Sequence, residues 1–165
     1  MKNCKEINPA NESLLAHIDE LMPIIEERLT QNGTVKLSPT GISMLPMLRQ
    51  GIDCVILSPP PKRLKKYDIP LYRRANGQYV LHRVTRVSGD SYTCIGDNQF
   101  NYEKGISHES VIAVVTAFTR GEKTYTVKYL PYLIYCRLWH FTRLIRRVLR
   151  AARRRLGRLL KRKRK

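Results

Sequence analysis

The sequence predicts a mainly β body with a helix at either end, and three observations carry that prediction. Asn76-Gly77 joins two runs suited to paired strands, and Val111 to Thr119 is rich in β-branched residues. Apolar spacings of three or four, the helical period, concentrate before Gly33 and after Pro131. At 165 residues the chain suits one domain with a real core.

The elements follow in order. Asn8-Pro9 reads as a helix start, with proline at the first helical position, and Leu14, Ile18, Leu21, Ile25 and Leu29 form its apolar stripe up to Asn32-Gly33. Pro23 removes a backbone donor and predicts a kink or a break there. Thr34 to Leu37 and Asp53 to Leu57 read as strands flanking a turn around Ser43, and Ser58-Pro59-Pro60-Pro61 marks a surface loop. Asp68 to Arg74 and Gln78 to Val87 form a hairpin across Asn76-Gly77, which suits a type I′ turn. Ser88-Gly89-Asp90 turns into Tyr92 to Ile95, and Arg120-Gly121-Glu122 turns Val111 to Thr119 back into Thr124 to Val127.

From Pro131 one amphipathic helix is expected. Ile134, Leu138, Phe141, Ile145, Val148, Ala152, Leu156 and Leu159 fall on one face, and Arg143, Arg147, Arg150 and Arg154 on the other. Gly157 softens it, and Lys161 to Lys165 reads as a disordered charge run. The organisation is therefore a helical segment 1–33, a β body 34–127 and a basic amphipathic tail 128–165.

Charge is divided along the same lines. The net +18 places +15 from Lys128 onward, where no carboxylate occurs, and +3 before it. The partner implied by charge thus belongs to the tail: an anionic membrane surface first, nucleic acid second because no aromatic platform interleaves the basic run. Docking of the stripe on the body is the third reading. The apolar run Tyr129 to Cys136 is too short to span a bilayer. With no secretory pattern at Met1 to Glu12, the expected location is the cytoplasm, peripheral on the inner face of the membrane. Cys4, Cys54, Cys94 and Cys136 show no paired spacing, so reduced thiols are expected, with no metal and no cofactor.

Three motifs carry chemistry: Gly41-Ile42-Ser43-Met44-Leu45-Pro46, Val80-Leu81-His82-Arg83-Val84 and Gly96-Asp97-Asn98. Ser43 supplies a hydroxyl nucleophile, His82 an imidazole able to take its proton, and Asp97 a carboxylate able to orient the ring. Each has a plainer alternative: a loop serine, a histidine bonded to a backbone carbonyl, an aspartate capping its own turn. Together, in this order, the three stretches resemble the signal peptidase and LexA-type serine peptidases, in the variant with a histidine base. The resemblance covers roughly Val35 to Val115. It implies coiled antiparallel β-sheets, a substrate peptide bound as an added strand with small side chains in shallow pockets, and serine endopeptidase activity.

Two positions depart from the bacterial signal peptidases, which carry lysine where His82 stands and serine where Gly41 stands; glycine there resembles the LexA-type enzymes. The Ser43 N–H is then the available oxyanion donor, with Gly41, Met44 and Pro46 as the oxyanion and substrate-binding residues. The N-terminal helix is too short for a helix-turn-helix unit, which argues against a repressor. The competing class is a catalytically inactive peptide-binding module of the same fold, tethered to membrane or nucleic acid by its tail.

Overall fold

The computed structural model describes residues 14–31 and 33–162. The Asn8-Pro9 helix start, Asn32, Cys4 and Lys163 to Lys165 lie outside them. Two compact units are present, residues 1–129 and 130–165.

The first unit is mainly antiparallel β. Helix α1 (Leu14–Thr30) leads into strand β1 (Val35–Leu37), then β2 (Val55–Ser58), β3 (Pro70–Arg73) and β4 (Tyr79–Leu81). Strands β5 (Arg83–Ser88), β6 (Ser91–Ile95) and β7 (Glu103–Ser107) follow, and a 3-10 turn at His108–Ser110 connects to β8 (Val111–Arg120) and β9 (Lys123–Thr126). One sheet has the order β1-β2-β8-β3-β4, with β9 also on β8; the other is β5-β6-β7. The β-branched run Val111 to Arg120 is the longest strand, and it pairs with β2, β3 and β9. Register shifts at Ile56/Leu57 and Leu71/Tyr72 add local twist, which curls the sheet.

The core draws on both sheets: Tyr72, Val111 and Val114 from one, Val84, Tyr92 and Cys94 from the other, with Leu64 from the connection between β2 and β3. Met22, Ile25 and Leu29 bury the inner face of α1, and Leu21 is half-buried. Burying a side chain of this size contributes about 1.5–3 kcal/mol.

Several expectations are corrected. Pro23 does not divide α1; it lies on the exposed face, where no packing depends on the lost donor. The Asn76-Gly77 turn is not type I′, because φ is positive at Gly77 (88°) but not at Asn76. Gly77 N–H donates to the Arg74 carbonyl (2.9 Å) and Arg74 N–H to Gln78 (2.8 Å), the pattern of a turn closed by a glycine bulge. The strand expected over Gln78 to Val87 is two strands that belong to different sheets, parted at His82. Cys54 is disulfide-bonded rather than reduced, while Cys94 and Cys136 are buried and in no disulfide.

In the second unit the expected single helix is two, α2 (Leu130–Phe141) and α3 (Arg143–Arg162), the latter running through Gly157, Lys161 and Arg162 without a break. Tyr132, Tyr135 and Trp139 stack along α2, and the Arg146 guanidinium lies 3.5 Å from the Trp139 ring centre. No helix among the described residues is long and apolar enough to cross a membrane.

Candidate active site

Ser43 and His82 line one cleft. It holds about 200 Å³ and is lined by Pro39, Thr40, Gly41, Met44 and Leu48, by Tyr79, Val80 and Leu81 of β4, and by Arg74 and Gln99. Sheet order places two parts of this lining. Strand β4 is an edge strand, so its outer edge is not covered by a neighbour in the sheet, and Pro39 to Gly41 continue from the opposite edge strand, β1.

The Ser43 turn is held from three directions. Met44, Met47 and Leu48 are buried and anchor it to the core, while Ile42 is exposed. Behind it, Asp53 is fully buried and accepts from Arg49 through the backbone N–H (2.9 Å), Nε (2.9 Å) and Nη2 (2.8 Å), closing the loop on itself. Burial pushes the Asp53 carboxyl up; hydrogen bonds from Arg49 and the charges of Arg120 and Arg49 outweigh it and hold the pKa below the ordinary value. In front, Asn98 N–H donates to the Ser43 carbonyl (2.8 Å), and Asn98 Nδ2 donates to the Ile42 carbonyl (3.1 Å). A Cβ on Gly96 would sit 2.6 Å from that Ser43 carbonyl oxygen, so this approach requires glycine.

The Gly96-Asp97-Asn98 motif is thus a clamp on the Ser43 turn, and Asp97 is its anchor. Arg83 donates to both Asp97 oxygens, Nε at 2.8 Å and Nη2 at 2.7 Å, in a buried two-point pair. Arg83 also donates to the Tyr67 carbonyl (3.2 Å); Tyr67 itself has a left-handed backbone (φ 80°), held by its N–H on the Val84 carbonyl (2.8 Å).

The carboxylate beside the His82 ring is therefore not the one expected. Glu103 Oε1 lies 3.0 Å from His82 Nδ1. Its other oxygen accepts from the Tyr72 hydroxyl (2.8 Å) and Arg74 Nε (2.9 Å), and Arg74 Nη2 pairs with Oε1 as well. Burial pushes the Glu103 carboxyl up, but the bonds from Arg74 and Tyr72 and the charges of His82 and Arg74 hold it below the ordinary value. An ionised Glu103 can only accept, so Nδ1 carries the hydrogen and Nε2 keeps its lone pair. His82 is 2% exposed, more deeply buried than the half-buried strand position expected. That burial lowers its pKa more than the Glu103 charge raises it, so the ring is neutral at neutral pH.

The remaining site expectations divide. Met44 lines the cleft from a buried position. Gly41 lines it too, but its N–H donates to Gln50 Oε1 (2.9 Å), and with φ at 81° and open space around it, the glycine serves backbone conformation rather than close approach. Pro46, after a cis Leu45-Pro46 bond, is exposed and outside the cleft lining.

Glu103 carried no local signal. It faces Cys94 across the β6–β7 ladder, and Cys94 faces Val84 in β5, so only the pairing of three strands brings it to the histidine. Among the described residues no group of histidine, cysteine and acidic side chains could hold a metal ion. No protein-family model, curated protein or solved structure matches this chain.

Proposed function

We propose that this chain is a serine endopeptidase of the signal-peptidase and LexA type, with Ser43 as nucleophile and His82 as general base. Supporting it above all is a single observation: Ser43 shares a cleft with an imidazole whose Nδ1 lies 3.0 Å from a carboxylate oxygen of Glu103. In this reading the Ser43 hydroxyl attacks the peptide carbonyl while His82 Nε2 takes its proton. The oxyanion forms beside the Ser43 N–H, and His82 passes the proton to the departing amine. Water then cleaves the acyl-enzyme by the same base. Glu103 is a positioning residue: it fixes the ring and stabilises the imidazolium as it forms.

The substrate is an extended segment of a protein or precursor peptide, added as a strand along β4, where main-chain hydrogen bonds supply affinity and small side chains enter the cleft. The workplace we assign is the cytoplasm, at the inner face of the membrane. The Cys54 disulfide runs against it, since cytosolic thiols are kept reduced. Thiol trapping in intact cells decides: a Cys54 that stays oxidised there moves the enzyme to an oxidising compartment.

The competing reading, an inactive peptide-binding module, has no use for a carboxylate held against the imidazole. A fluorophosphonate probe separates the two. Covalent labelling of Ser43, lost in Ser43→Ala and slowed in His82→Gln, is expected; an unlabelled, folded protein that still binds extended peptides would establish the module instead.

A further inference from the structure

We infer that the apolar face shared by α2 and α3 is a docking surface for an anionic lipid bilayer. Phe141 is 80% exposed, Leu144 72% and Val148 67%, and Leu138, Ile145 and Leu149 are each more than half exposed. Apolar surface of this extent on one face marks an interaction site. The register is continuous across the joint: Thr142 N–H donates to the Leu138 carbonyl (2.9 Å) and Arg146 N–H to the Thr142 carbonyl (3.0 Å). Leu138, Phe141, Ile145 and Val148 therefore stay in line at steps of three and four.

Charge selects the occupant. Arg147, Arg150 and Arg153 are exposed on the other face, and the unit has no acidic side chain to repel an anionic surface. Arg146 is folded back over Trp139, which keeps its charge away from the stripe. A nucleic acid would satisfy the arginines and leave the stripe in water; a bilayer interface takes both, with the stripe about 5–10 Å deep among the acyl chains and the arginines at the headgroups. The inference stands on the helices alone and does not depend on the peptidase reading.

The test is co-sedimentation of the full chain with phosphatidylcholine vesicles, with and without one part in three of phosphatidylglycerol. Binding to the anionic vesicles, far weaker on the neutral ones, is expected. Phe141→Ser/Ile145→Ser/Val148→Ser lowers affinity by about a hundredfold or more, since each buried apolar side chain is equivalent to roughly tenfold. Arg147→Gln/Arg150→Gln/Arg153→Gln removes the preference for phosphatidylglycerol. If the serine variant fails to fold, a spin label at Ile145→Cys replaces it, and shielding of that label from an aqueous relaxation agent by vesicles is the expected result. Absence of vesicle binding at low salt overturns the inference, as does binding that the serine variant retains or a label that stays water-accessible. Self-association without lipid, abolished by the same serines, assigns the face to a second copy of the chain. An RNA duplex that binds where vesicles do not assigns it to nucleic acid.

Discussion

Glu103 Oε1 and His82 Nδ1 are 3.0 Å apart, although Glu103 opens β7 of the second sheet and His82 lies at the joint between β4 of the first sheet and β5 of the second. The contact fixes which ring nitrogen faces away from the carboxylate. It also divides two carboxylates by place: Glu103 faces the His82 ring, and Asp97 anchors the segment that holds the Ser43 turn.

Glu103→Gln is therefore expected to lower kcat by about 10²–10⁴-fold with a small change in KM, because the ring loses its charged acceptor and its tautomer is no longer fixed. Single-turnover cleavage of a soluble peptide reads this directly. Equal activity in the variant would leave His82 without an orienter.

The pH profile follows from burial. In the proposed peptidase only a neutral His82 can accept the serine proton, and its pKa is lowered from the ordinary 6.5, so the acid limb of kcat/KM should have its midpoint below that value. Removing the Glu103 charge lowers it further. Activity confined to pH above about 8 would instead indicate a lysine base.

Stability carries the same signature. The folded pKa of His82 is depressed, so its contribution is complete above the unfolded value near 6.5 and is lost as pH falls from there through the folded value. Urea melts of the native chain should weaken over that window, and His82→Gln should remove that part of the slope.

Asp97→Ala breaks a buried pair and leaves Arg83 without its two-point partner, which costs about 3–5 kcal/mol. The melting temperature should drop steeply, whereas Glu103→Gln, at a half-buried site, should move it far less. A mild Asp97→Ala melt combined with lost chemistry would return Asp97 to a direct role on His82.

Gly96→Ala tests the clamp. Its new Cβ would meet the Ser43 carbonyl at 2.6 Å, so the turn must shift, and a displacement near 1 Å of a reacting group can cost about a hundredfold. Gly41→Ala meets open space and is strained only by its backbone, at about 1–2 kcal/mol. Probe labelling of Ser43 should fall much more in the first variant than in the second.

What the sequence determined by itself is local. The β-branched run from Val111, the glycine-closed turn at Gly77 and the three-four spacing from Ile134 declare strand, hairpin and amphipathic helix, because propensity and period are properties of neighbouring residues. Ser43 and His82, singled out through their neighbours, line one cleft. The tertiary structure decided the rest. Whether Gln78 to Val87 is one strand or two depends on which sheet each half finds, and His82 falls at the division. Which carboxylate meets the imidazole depends on the β5–β6–β7 pairing that carries Glu103 across the second sheet, while the buried Arg83 claims Asp97. Asp97 is nearer to the histidine in sequence than Glu103 is; strand pairing, which joins residues regardless of their separation, placed Glu103 on its ring.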